Sequence, residues 1–189
     1  MEVYIIFTDT KTALSRMIKT YTKHSYSHVS ISFDRELNEM YSFGRKDVDN
    51  AFIGGFLKED AHNKLFKRAD CAVYKYSVSA AEYMSMLKFV REMEKKQEQY
   101  KYNLTGLFCV MMNKDIPREN AYFCSQFVTE VLLQGGIKVS EKPSTLVMPR
   151  DIFMLENLDF AYSGKLHAYP HLTEELSYSQ EEPCLLEAL

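Results

Sequence analysis

The sequence predicts an α+β domain with a small, mainly antiparallel β-sheet packed by helices. Three observations predict it. Short β-type apolar runs alternate along the chain with helical apolar periodicity. Two of the β-type runs, 26–33 and 39–43, flank a polar turn at Asp34-Arg35-Glu36-Leu37-Asn38 and read as a hairpin. The composition is globular, with 189 residues, 46% apolar, 13% aromatic and 26% charged, enough for one domain with a substantial core.

Val3 to Phe7 is a continuous apolar run rich in β formers, short enough for a buried strand. Asp9 and Thr10 read as a helix cap, and Leu14, Met17, Ile18 and Tyr21 follow at helical spacing, so residues 11–23 form an amphipathic helix. Its Lys11, Arg16, Lys19 and Lys23 read as solvated charges. Tyr26-Ser27-His28-Val29-Ser30-Ile31-Ser32-Phe33 alternates strictly. Val29, Ile31 and Phe33 point to one face, and His28, Ser30 and Ser32 to the other. Small hydroxyl residues beside a histidine leave room for another group to approach.

Residues 45–66, with Gly54-Gly55 and mixed charges, read as a long surface loop. A strand follows at 69–77. Ser79-Ala80-Ala81-Glu82 is a capping box opening a long helix whose Tyr83, Met86, Leu87, Val90 and Met93 mark one face, ending near Gln99. A shorter helix is expected over 103–112, and a loop from Lys114 to Asn120. The segment 120–136 is a helix with Cys124 in its first turn, Phe127, Val128, Val131 and Leu132 on an apolar face, and Gly135-Gly136 as its stop. Ile137 to Val139 reads as a short strand, Pro149 as a helix start, and 158–162 with 165–169 as a hairpin about Ser163-Gly164. The domain spans 1–170, and residues 171–189 form an acidic, weakly ordered tail.

The net charge of −3 supplies no basic excess for nucleic acid. The four cysteines, Cys71, Cys109, Cys124 and Cys184, form no C-x-x-C pair, and no metal-ligand spacing is present, so neither metal nor cofactor is expected. Cys71 and Cys109 lie in apolar runs, as reduced buried thiols do. The first residues lack a basic n-region, and no run has the length of a membrane helix. A soluble cytoplasmic protein is the expectation; the sequence leaves the oligomeric state open.

The chemistry rests on Cys124 and His28. A free cysteine is more often a small buried hydrophobe. At a helix start, however, open N–H groups and the positive end of the dipole favour the thiolate, which is the nucleophilic form. A strand histidine able to take the thiol proton supplies the base and later the acid. His24, His62, His167 and His171 read as loop or terminal residues.

Tyr26-Ser27-His28-Val29-Ser30-Ile31, Glu39-Met40-Tyr41-Ser42-Phe43-Gly44 and Tyr122-Phe123-Cys124-Ser125-Gln126-Phe127-Val128 resemble the circularly permuted branch of the NlpC-type papain-like superfamily. That branch includes the YiiX- and YaeF-type amidases and, more distantly, the lecithin:retinol acyltransferase group. The resemblance covers residues 1–155. It implies a base on the first strand pair, a nucleophile at the later helix start, and a third polar group on the paired strand eleven or twelve positions after the histidine, which is Glu39. Strand arithmetic leaves Ser42 and Tyr41 as rivals. A two-residue turn puts Glu39 on the His28 face opposite Ser32, whereas a five-residue turn puts Met40 and Ser42 there.

The expected activity is a cysteine hydrolase of amidase or peptidase type, forming a thioester on Cys124 with His28 as base and Glu39 as its orienting group. Its substrate is a small molecule, peptide or lipid with an amide or ester bond. The alternatives are a lipid acyltransferase or thioesterase-like enzyme, and a non-catalytic binding module on the same fold.

Overall fold

The computed structural model describes residues 1–45, 54–102 and 120–172. The expected helix at 103–112 and the tail beyond residue 172 lie outside the described residues, as do Cys109 and Cys184. The described chain is α+β. Six strands form one antiparallel sheet: β1 (Glu2–Asp9), β2 (His28–Ser32), β3 (Met40–Arg45), β4 (Gly54–Glu59), β5 (Asp70–Ser77) and β8 (Asp159–Lys165), in the order β4-β3-β2-β1-β5-β8. A two-residue parallel pair, β6 (Lys101–Tyr102) with β7 (Ala121–Tyr122), leads into the cysteine helix. The described helices are α1 (Ala13–Thr22), α2 (Ala80–Lys95), α3 (Cys124–Gln134) and α4 (Pro149–Phe153).

The alternation in β2 divides the core as expected. Val29, Ile31 and Phe33 join Val3, Ile5, Phe7, Tyr41 and Phe43 under α2 and α3. Phe127 on α3 is fully buried against Phe43 and Phe56, with ring centroids 5.3 and 5.7 Å apart. Tyr4, Ile6, Met40, Cys71 and Val73 face the opposite side, where Leu37, Phe66, Leu166 and Tyr169 cover them.

The hairpin adopts the longer of the two turns. Ile31 pairs with Tyr41 and Ser32 with Met40, and Phe33 N–H donates to Glu39 O at 3.1 Å. Asp34 builds this turn: its carboxylate accepts from the backbone N–H groups of Asn38 (2.9 Å) and Glu39 (2.7 Å) and from Ser32 Oγ. Met40 and Ser42 therefore share the His28 face, and Glu39 does not.

Several local expectations are corrected. Within the span read as a loop at 45–66, residues 54–59 are strand β4, paired to β3 along its whole length. Two glycines obscured it, yet Gly55 is needed there: a Cβ would lie 2.5 Å from the Tyr100 carbonyl oxygen. Helix α1 is capped by Thr12, whose hydroxyl accepts from Ser15 N–H at 3.2 Å, rather than by Asp9 and Thr10. Asp9 ends β1 as a buried carboxylate bonded to Ser15 Oγ (2.5 Å) and to the Lys11 and Lys19 ammonium groups, so these two lysines are ion-paired and not simply solvated. The hairpin expected about Gly164 is one strand, β8, because β5 offers its free edge to the whole run. Ile137 and Val139 pack on the core without forming a strand. The capping box at Ser79 and Glu82 is present, and Gly136, at φ 75°, closes α3.

Candidate active site

Helix α3 begins at Cys124 because Phe123, the residue before it, is extended (φ −112°, ψ 168°) and buried. Phe123 makes no side-chain cap bond, so the first-turn N–H groups are left without the usual capping acceptor. Ser125 Oγ donates to Val147 O at 2.7 Å and Thr129 Oγ1 to Ser125 O at 2.8 Å, which ties the first turn to the following loop. Cys124 is 6% exposed.

His28 opens β2, and from that position its ring lies close enough to Cys124 for the thiol to be among the groups that raise its pKa. The structure thus brings together the two residues selected from sequence, 96 positions apart in the chain. Gly44 lies beside the ring; a Cβ there would stand 3.6 Å from His28 Cε1. That is ordinary contact, so Gly44 borders the imidazole without crowding it.

The carboxylate that meets His28 is Glu59, not Glu39. His28 Nε2 donates to Glu59 Oε1 at 2.9 Å. A carboxylate only accepts, so Nε2 carries a proton and Nδ1 is the nitrogen left for the sulfur. Ser42 Oγ donates to Glu59 Oε1 at 2.7 Å and Ser30 Oγ to Glu59 Oε2; Ser30 Oγ also lies 3.3 Å from Nε2. Glu59 is 6% exposed and His28 17%. Glu39 is engaged elsewhere: it pairs with Lys58 (2.6 Å) and Arg91, and Tyr41 Oη donates to it at 2.6 Å. Of the two rivals to Glu39, Ser42 touches the histidine's partner and Tyr41 touches Glu39.

The electrostatics follow from burial and pairing. Burial alone would pull the His28 pKa down. The Glu59 charge, the proximity of Cys124 and the Glu59 hydrogen bond together outweigh it and hold the imidazole protonated well above its ordinary range. Burial would likewise raise Glu59. The His28 charge and hydrogen bond, with those of Ser30 and Ser42, keep its carboxyl below the ordinary value. Burial pushes the Cys71 thiol up to about 12, so it is an inert core residue.

The other histidines do not join this site. His24 lies in a loop and is half-buried, with its ring 5.1 Å from that of Phe153. His171 accepts from Arg35 at 2.7 Å and meets Tyr169 edge-on, with ring centroids 5.4 Å apart. Among the described residues no group of three or more His, Cys, Asp or Glu is placed to hold a metal ion. A cavity of about 270 Å³ lies behind Glu59, lined by Leu37, Lys58, Asp60, His62 and Leu172 among others. Neither Cys124 nor His28 lines it, so it is not where a bond attacked by the thiol would sit.

Sequence reasoning missed Glu59. The available signal was the polar stretch Lys58-Glu59-Asp60 after an apolar Phe56-Leu57, a strand end that the preceding glycines disguised. No helix among the described residues is long and apolar enough to cross a membrane. The sequence matches no protein-family model, and no curated protein matches it.

Proposed function

We propose that the protein is a cysteine-dependent hydrolase of amides or esters, built on a permuted papain-like fold of the NlpC type. The observation that carries this reading is the 2.9 Å bond of the His28 imidazole to the buried Glu59 carboxylate, with Cys124, at a helix start, among the groups acting on that ring. Cys124 Sγ attacks the carbonyl carbon, and the oxyanion that forms lies at the open N–H groups of the first turn of α3. The imidazolium of His28 passes its Nδ1 proton to the leaving nitrogen or oxygen as that bond breaks, leaving a thioester. Water then attacks the thioester, giving its proton to His28; the acid leaves, and the thiolate–imidazolium pair is restored. Glu59 keeps the ring oriented and Nε2 protonated throughout. In the acyltransferase alternative an amine or alcohol replaces that water, and the residues keep their roles.

The test is covalent. An acyl-directed electrophile should add one equivalent to the wild-type protein at Cys124, by intact mass and peptide mapping. Cys124→Ala should take up none and keep its circular dichroism. His28→Ala should label many-fold more slowly. Equal labelling of His28→Ala and wild type would mean that thiol and imidazole are uncoupled, and would favour a binding module on this fold.

A further inference from the structure

We propose that Ser30 and Ser42 form a hydroxyl clasp that locks Glu59 in its ionised form and so sets the proton inventory of the Cys124–His28 pair. They are positioning residues, acting through Glu59. The inference rests on the thiol–imidazole reading above and adds a determinant to it.

The clasp is built from two strands. Ser30 is on β2 and Ser42 on β3, and the pairing of Ile31 with Tyr41 places them opposite one another. Both are fully buried. Each donates its hydroxyl to a different oxygen of Glu59, Ser42 to Oε1 and Ser30 to Oε2, while His28 Nε2 donates to Oε1. Three donors thus converge on one carboxylate. A proton on Glu59 would turn one of its oxygens into a donor, and a serine could accept from it only by turning its own buried hydrogen away from the carboxylate. The arrangement penalises the neutral acid, although burial by itself would favour it.

The consequence reaches the thiol through the ring. An ionised Glu59 is what holds His28 as the imidazolium, and the imidazolium is the counter-ion of the thiolate. Among the described residues the leading influences on His28 are Glu59 and Cys124, and those on Glu59 are His28, Ser30 and Ser42. From β1 the cross-strand neighbour of His28 is Thr8, and from β3 the residue beside the ring is Gly44; neither titrates. Serine suits the role because it is the smallest uncharged hydroxyl donor, so it fits beside the histidine without bringing a charge.

The rate of Cys124 modification by iodoacetamide, followed against pH, tests the clasp. Wild type, His28→Ala, Glu59→Gln, Ser30→Ala/Ser42→Ala and the triple variant carrying Glu59→Gln would be compared. The double serine variant should react roughly tenfold more slowly near neutral pH, its profile moved towards that of His28→Ala and its alkaline plateau unchanged. Placed on Glu59→Gln, the two serine changes should add little, because Ser42 meets only that carboxylate and Ser30 meets the ring besides only at 3.3 Å. A double variant whose profile superposes on wild type, or one that loses the same factor on Glu59→Gln, would overturn the clasp. A His28→Ala profile equal to wild type would overturn the thiol–imidazole reading itself, a distinct result. Should the double variant fold poorly, the single Ser42→Ala and the nitrogen-15 titration of His28 in a Cys124→Ala background give the same decision. The His28 transition should move to lower pH when the hydroxyl is removed, and an unmoved transition would overturn the clasp.

Discussion

Glu59→Gln and Glu39→Gln form the sharpest pair of perturbations, because one carboxylate touches the histidine and the other does not. At Glu59 the amide keeps the shape and one acceptor oxygen, so Ser30 or Ser42 retains a partner. The amide NH₂ replaces an acceptor with a donor, and facing His28 Nε2 it favours the neutral ring with its proton on Nδ1. That is the nitrogen that must receive the thiol proton. Removing one charge of a buried, hydrogen-bonded pair costs about 3–5 kcal/mol when the partner is left stranded. Here the ring can shed its own proton, so about 2 kcal/mol of imidazolium stabilisation is lost, roughly a thirtyfold slower modification of Cys124 at about pH 6.5. Glu39→Gln disturbs only a partly exposed cluster with Lys58, Arg91 and Tyr41 and should stay within about twofold of wild type. The assay is the pseudo-first-order rate of iodoacetamide uptake, assigned by peptide mapping; Cys71, with its raised pKa, stays silent. An unchanged rate in Glu59→Gln, or a larger loss in Glu39→Gln than in Glu59→Gln, would refute the assignment of Glu59 as the orienting carboxylate.

Two further outcomes concern stability. The His28 pKa is raised above its unfolded value of 6.5, so the stability it contributes is whole below that value and is lost as pH climbs through the raised folded value. The Glu59 pKa is lowered from 4.5, so its contribution is present above 4.5 and is lost as pH falls through the lowered value. The pair therefore contributes fully between these two unfolded values, and the urea midpoint of the wild type should fall from neutral towards alkaline pH more steeply than that of His28→Gln. Parallel curves would show that the pair does not titrate as described. Thr8 Oγ1 is buried with no hydrogen-bond partner among the described residues, so Thr8→Val, of the same shape, should raise stability by about 1 kcal/mol and the Tm by roughly 2–4 °C in a thermal melt. A lower Tm would mean that the hydroxyl has a partner.

The residues by themselves determine the antiparallel hairpin, the inward and outward faces of β2, the capped helix after Ser79, and a cysteine at the first turn of a helix. Each is written in local periodicity or in a cap, within one or two turns of chain. They also single out Cys124 and His28, since a helix start and a polar strand face are local features. Only the tertiary structure decides the third group. Glu59 reaches His28 across 31 residues, through a strand whose glycines give it no β signature and whose place is set by pairing with β3. The turn after β2 was equally undetermined, because a shorter loop satisfies the same alternation; Asp34, by accepting from Asn38 and Glu39, settles the longer one and turns Glu39 away from the histidine. Asp9, which reads as a cap, becomes a buried anchor because its partners Ser15 and Lys19 lie a helix turn and more beyond it. Local pattern specifies which elements form, while non-local register specifies which charged groups meet, and the candidate chemistry depends on the second.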